Sequence, residues 1–429
     1  MKRYLNLFLL LFLVFLFGCG AECPECEKCP EKEDCPTCDE CEKCEPCKKC
    51  EDDDVTKAPL LGIDQIEDYL DLFQNKKVGL ITNQSGVNSN YESSIDVLYK
   101  NVNLVSLFAP EHGIRGNVNE GTTIGDMVDS KTGIKINSLY GSTLSPTKEM
   151  LDEIDVLCFD IQDVGARFYT YIYTMSNAMI ECAKYNKKFV VFDRPNPITG
   201  SQVEGNILDM NYSSFIGKYP LVQRHGMTVG ELAMMFNIEF EIGCDLIVIK
   251  MKDYNRDKYL DETSFPWVNP SPNIPQIETA VIYPGTCVFE GTNLSVARGT
   301  TKPFQWVGAP YIDGEAWAEE LNKLNLPGVY FRAVWFTPLS STNANKLCSG
   351  VEVHVTNRET FESVYTGWAM FYVVRHMYKD NFTMQKNTIN VNTGCSYFSS
   401  DKYSLEELHN IIKKDTKTFK ETRAKYLLY

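Results

Sequence analysis

Short apolar runs that end in turn residues recur along the chain at 77–83, 103–109, 155–160, 188–193 and 246–250. They are apolar on successive rather than alternate positions, the pattern of strands buried on both faces. Helical spacing fills the gaps. Ile172, Met175, Met179, Cys182 and Ala183 mark a helix over 171–185. Thr228 and Glu231 form a capping box ahead of Leu232, Met235 and Phe236, in which hydroxyl and carboxylate serve the unpaired N–H groups of a first turn. Ser145 followed by Pro146 predicts another helix start, before Met150 and Leu151, with proline in the first turn. Strands alternating with helices imply an α/β domain built on a mostly parallel sheet, with helices on both faces.

After about residue 285 the pattern loosens. Residues 329–336 and 351–355 read as strands, and a long helix carries Phe361, Val364, Tyr365, Trp368, Phe371 and Tyr372 on one face. Ser404 and Glu407 cap a last helix through Leu408, Ile411 and Ile412. The expected organisation is an α/β domain over 58–284 and a smaller α+β domain over 285–429.

In open parallel sheets, ligands bind beyond the carboxyl ends of the strands. The residues at those ends are polar and charged here. The first run ends at Asn83, and the second at Glu111-His112-Gly113, followed by Arg115 and Glu120. The third ends at Asp160 and Asp163, then Arg167 and Tyr169; the fourth at Asp193-Arg194-Pro195-Asn196, then Glu204. Carboxylates, a histidine and arginines from four strands converge on one edge, which implies a shared active site.

Several chemistries are poor fits. The sequence has no Gly-x-Gly-x-x-Gly after the first run, no P-loop and no Gly-x-Ser-x-Gly elbow, so no nucleotide cofactor or serine nucleophile is expected. Histidines number only five, and only His112 and His225 lie in turn-rich polar stretches, which disfavours a zinc hydrolase. Carboxylate chemistry remains. Glycoside hydrolysis needs a protonated carboxyl for the leaving oxygen and a second group at the anomeric carbon. The 12% of aromatic residues suits stacking on sugars.

Charge and cysteine change the picture at the N-terminus. A net charge of −15 argues against a general nucleic-acid binder. Ten of the 16 cysteines fall within the first 50 residues. Lys2 and Arg3 precede an apolar run over 5–17 that ends in Leu16-Phe17-Gly18-Cys19. The run is short for a membrane span and reads as an export leader over 1–18. Its end resembles a bacterial lipobox, which makes Cys19 the expected site of a palmitate-type lipid anchor to a membrane of the cell envelope.

Residues 19–57 then form an acidic tether. Between 22 and 54 lie fourteen acids and five lysines, and cysteines recur at every third position from Cys23 to Cys50, with Lys32 in one slot. A period of three matches polyproline II. Three readings stay open for it: a spacer, soft-metal binding by thiolates, and disulfide cross-linking at the cell surface. The six cysteines of the body show no metal spacing and read as small buried hydrophobes.

Residues from about 61 to 429 resemble the bacterial exo-β-N-acetylmuramidase family, peptidoglycan glycoside hydrolases once catalogued as a domain of unknown function. The resemblance rests on long motifs in one order: 79–86, 109–116, 160–171, 193–197, 267–273, 283–286 and 289–301. It implies a Rossmann-like N-terminal domain, a smaller C-terminal domain, a cleft between them, and release of N-acetylmuramic acid from the non-reducing end of peptidoglycan fragments. The tether has no counterpart in the family pattern.

The resemblance and the chemistry together make Glu111 the first choice for general acid, a role that requires a carboxyl protonated near neutrality. His112 would bond to it or to substrate. Glu120, Asp160, Asp163 and Glu204 are the candidates for a second catalytic group. The lactyl carboxylate of muramic acid calls for a forked guanidinium, from Arg298, Arg194, Arg167 or Arg115. Asn83, Asn196 and Asn273 are hydroxyl binders, and Tyr169, Asp193 and Glu290 complete the set expected to contact muramyl-glucosamine saccharides. Neither metal nor cofactor is expected. The rival reading is a non-catalytic lipoprotein that captures muropeptides.

Overall fold

The computed structural model describes residues 58–111, 113–115 and 127–429. The leader, Cys19, the tether, His112 and Glu120 lie outside the described residues. The five apolar runs become β1 (Val78–Thr82), β2 (Leu104–Ala109), β5 (Val156–Asp160), β6 (Lys188–Phe192) and β7 (Leu246–Ile249) of a seven-stranded sheet, and two short strands that the pattern does not predict, β3 (Met127–Val128) and β4 (Lys135–Ser138), extend one side. Their order is β3-β4-β2-β1-β5-β6-β7. The pairings are parallel except that of β3 with β4.

Continuous apolar runs are needed because the sheet has a core on each face. Val156 and Cys158 of β5 and Val190 and Phe192 of β6 point into one core. Leu157, Phe159, Phe189 and Val191 point into the other, the two-residue alternation of a strand.

Four helices, α1 (Ser94–Asn101), α2 (Lys148–Asp152), α3 (Tyr171–Lys184) and α4 (Val229–Glu239), join these strands. The expected capping box opens α4, with Thr228 and Glu231 each serving the other's N–H. Helix α2 begins later than the Ser145-Pro146 pair suggests. Its cap is Thr147, whose hydroxyl accepts from Met150 N at 3.4 Å, so Pro146 precedes the cap instead of filling the first turn.

The second sheet is antiparallel, ordered β8-β10-β9, with β8 (Trp306–Ala309), β9 (Val329–Phe336) and β10 (Cys348–Val355). Around it lie α5 (Ile277–Thr286), α6 (Gly314–Lys323), α7 (Ser363–Met377), α8 (Lys386–Thr393) and α9 (Leu405–Arg423). The 284/285 division lies inside α5. This helix approaches α7 so closely that a methyl group on Gly285 would lie 1.9 Å from the Ser363 carbonyl oxygen, and one on Gly367 would lie 2.0 Å from that of Gly285. Only glycine, which has no Cβ, fits at either position. Val364, Trp368 and Phe371 of α7 are buried in the core that also holds Leu80 and Val190, so one apolar core runs from the parallel sheet into the second layer. Among the described residues, no helix is long and apolar enough to cross a membrane.

Candidate active site

Strands β2, β1, β5 and β6 are neighbours, so their carboxyl ends bring Glu111, Asn83, Asp163 and Asp193 to one edge. The chain steps from β1 outward through β2 and β4, then returns to the other side of β1 with β5. The crevice between β1 and β5 is therefore the switch point at which doubly wound sheets bind ligands.

A cavity of about 160 Å3 lies at this edge, lined by Glu111, the 168–171 turn, Ser271, Asn273, Tyr283, Arg298 and Phe304. Its aromatic walls interlock edge to face. Ring centroids are 5.0 Å apart for Tyr169 and Tyr171, 6.1 Å for Tyr169 and Tyr283, and 4.7 Å for Tyr283 and Phe304. Burial raises the pKa of all three tyrosine hydroxyls, which keeps them neutral donors. Tyr171 donates to the Pro270 carbonyl at 2.7 Å, and Gln84 donates to the same oxygen at 2.9 Å; these bonds hold the 269–273 segment against the sheet edge. The Arg298 guanidinium lies 5.2 Å from the centre of the Phe304 ring and donates from Nε to Glu290 at 2.7 Å.

Four of the sequence candidates thus line one cavity: Glu111, Tyr169, Asn273 and Arg298, with Glu290 bound to the last. Tyr171, Ser271, Tyr283 and Phe304 join them without having been singled out. The first three lie within the family motifs, but nothing in their local pattern separates a wall residue from a core one.

The structure employs most other candidates elsewhere. Asp160 is 0% and Arg194 2% exposed, and they form a two-pronged ion pair at 2.5 and 2.9 Å, with Ser94 Oγ also donating to Asp160. Both are committed to each other rather than to a substrate. Arg115 grips Asp129 at 2.6 and 3.0 Å, and this holds the Asp129 carboxyl down at about 2. Arg167 is fully buried and donates to three carbonyls, Asn206, Leu221 and Asn392, at 3.0 to 3.1 Å. Asp193 accepts from Gly230 N at 2.7 Å, Thr228 Oγ1 at 2.8 Å and Tyr429 OH at 2.7 Å, which ties the start of α4 to the chain's last residue. Asn196 braces a turn, accepting from Ile198 N and donating to Met227 O. Asn83 accepts from Ser85 N and Oγ at 2.9 and 2.5 Å, while its buried Nδ2 has no partner.

Glu204 accepts from Val364 N at 3.0 Å and Tyr365 N at 2.7 Å, so it caps α7 from another layer. Burial pushes its carboxyl up from 4.5 to about 7, against the pull of those two donors. The folded chain holds this proton more tightly than the unfolded one. Its stabilisation is complete below about pH 4.5 and is lost as pH rises through about 7. The melting temperature is expected to fall between pH 5 and 8, and calorimetry of Glu204→Gln, which cannot ionise, should show a shallower fall. Asp193, pushed to about 7 by burial and the Glu231 charge, contributes to the slope that remains.

Asp163 differs from the other described carboxylates at this edge. One oxygen accepts from Gly165 N at 2.7 Å and faces His225 Nε2 at 3.5 Å; the other is buried without a partner. His225 is itself 0% exposed and accepts from Met227 N at its Nδ1, which assigns the ring proton to Nε2, toward Asp163. The body cysteines are free and buried, and burial raises the Cys158 and Cys182 thiols. Among the described residues, no group of His, Cys, Asp and Glu is placed to hold a metal ion.

Two family descriptions match the chain in tandem. Residues 78–278 match the N-terminal part of the exo-beta-N-acetylmuramidase NamZ, and residues 281–429 match its C-terminal part. The chain belongs to the NamZ family. It is 47% identical over 376 residues to the peptidoglycan beta-N-acetylmuramidase NamZ of Bacillus subtilis, a match that covers 86% of this chain and 91% of that protein. Two solved DUF1343 family proteins of Bacteroides fragilis share its fold. One superposes with a TM-score of 0.81 at 36% identity, the other with 0.70 at 34%, and each match covers 86% of this chain and 99% of the solved one. Membership of the NamZ family makes the chain a glycosidase, and its two-sheet α/β architecture is that of these relatives.

Proposed function

We propose that the chain is an exo-acting hydrolase that releases N-acetylmuramic acid from the non-reducing end of peptidoglycan fragments, with Glu111 as general acid in a cleft between the two sheets. The observation that carries this reading is one small cavity shared by Glu111, from the β2 edge, and Arg298, from the segment that precedes β8. Glu111 gives its proton to the leaving glycosidic oxygen as the bond to the anomeric carbon breaks. Arg298 pairs with the lactyl carboxylate, a contact that selects muramyl over glucosaminyl ends. The tyrosine walls pack on the sugar faces.

Asp163 is the second group. It adjoins the cavity wall at Tyr169 rather than lining the cavity; as base, its unpartnered oxygen takes the proton of the attacking water, with the His225 ring 3.5 Å from its other oxygen. The lipobox-like Cys19 supports a place in the cell envelope on a lipid anchor.

The test is product analysis on a muramyl-glucosamine disaccharide. The full chain should release free N-acetylmuramic acid. In Arg298→Ala, KM should rise about 10- to 100-fold with a smaller change in kcat, the loss expected for one charge-assisted contact. A folded chain that leaves the disaccharide intact would reject the reading.

A further inference from the structure

A second cavity, of about 660 Å3, opens where residues 201–204 and Arg224 meet the 359–362 segment and α9. It shares no lining residue with the Glu111 cavity, and its chemistry differs. Along α9, Lys413, Lys417 and Lys420 all line it and all are exposed. Their spacing of four and three places them on one helix face. The floor includes Arg224, which is 1% exposed. Its Nη2 donates to Ile198 O at 2.6 Å and to Tyr259 OH at 3.3 Å, both neutral, and its Nε has no partner.

Four cations, Arg224, Lys413, Lys417 and Lys420, face three acids in this cavity. Glu204 turns both oxygens to the α7 N–H groups, and Glu362 faces His409 Nε2 at 2.9 Å. Glu359 is exposed at the rim, so the lining keeps an excess of positive groups. Glu204 is the acid beside Arg224, but burial favours its neutral form, so it offsets the buried guanidinium only in part, and the three lysines extend the same positive field outward. Buried Phe361 and half-buried Ile411's neighbour Ile412, also buried, give the cavity apolar wall. Its volume falls within the range of about 300–1,000 Å3 usual for small-molecule sites.

We infer that this cavity binds a small organic anion, its carboxylate or phosphate held between Arg224 and the α9 lysines and its body against Phe361 and Ile412. The ligand's charge completes a site that the protein leaves positive.

Titration calorimetry of the full chain tests this, with citrate and inorganic phosphate as separate probes. At least one should bind saturably at one site per chain. The triple variant Lys413→Ala/Lys417→Ala/Lys420→Ala, altered only at exposed positions, should lose at least about tenfold in affinity while hydrolysing the muramyl disaccharide at the parent rate. Arg224→Gln should lose affinity further; if it fails to fold, the lysine variant decides. Binding of citrate alone assigns a carboxylate ligand, and of phosphate alone a phosphate ligand. The inference is overturned if neither probe saturates at millimolar concentration, or if the lysine variant binds both as tightly as the parent.

Discussion

Glu111→Gln is expected to lower kcat on a muramyl-glucosamine disaccharide by about 10²- to 10⁴-fold, the usual contribution of a positioned general acid. Glutamine keeps the shape and hydrogen-bonding reach of the side chain but has no carboxyl proton to deliver. Glu111 is half-buried just beyond β2, outside both apolar cores, so the melting temperature should be unchanged. KM should change little, because Arg298 and the tyrosine walls remain. A muramyl substrate with a nitrophenolate leaving group separates the roles. That group departs without protonation, so the variant should lose much less activity on it than on the disaccharide. Release of N-acetylmuramic acid from the disaccharide at the parent rate would remove Glu111 from the mechanism.

Arg194→Met is expected to destabilise the fold by about 3–5 kcal/mol, the range for breaking a buried ion pair from one side. Asp160 sits at the end of a central strand with no exposed surface. Without the guanidinium it would keep only Ser94 and the strand edge around it. Arg194 would also withdraw its bond to Val87 O, 2.6 Å long, which ties the segment after β1 to the end of β6. The double variant Asp160→Asn/Arg194→Met should regain part of the loss, because neutralising the orphaned partner removes the uncompensated charge. Chemical denaturation measures both. At low temperature, where the single variant is still folded, its kcat should stay near that of the parent. An unchanged midpoint with lost substrate affinity would instead make Arg194 a substrate ligand.

These two residues show how far the linear pattern reaches. Both stand at the ends of buried apolar runs, and both are polar residues within long motifs. Glu111 opens onto a cavity, whereas Arg194 points back across the sheet edge to Asp160. The same ambiguity runs through Arg167, Asp193 and Glu204. Each looks like a ligand-binding group in sequence, and each bonds to backbone or side chains from distant segments: Asn392 for Arg167, Tyr429 for Asp193, Val364 and Tyr365 for Glu204. Asp163 stands apart because one of its oxygens is left unpaired, a property with no local signature. The cavity's Tyr283 and Phe304 were hidden for the opposite reason, since apolar and aromatic residues at such spacing most often belong to a core.

The short strands β3 and β4 at one edge were not legible along the chain, whereas five of the seven strands of the first sheet, the starts of α4 and α9 and the family were. Those features depend on periodicity, capping chemistry and contiguous motifs, all local along the chain. Which charged residues line the cavity and which hold the protein together emerged only from the folded arrangement. A polar side chain's role depends on the partner within about 3 Å of it, and here those partners come from segments up to 236 residues away.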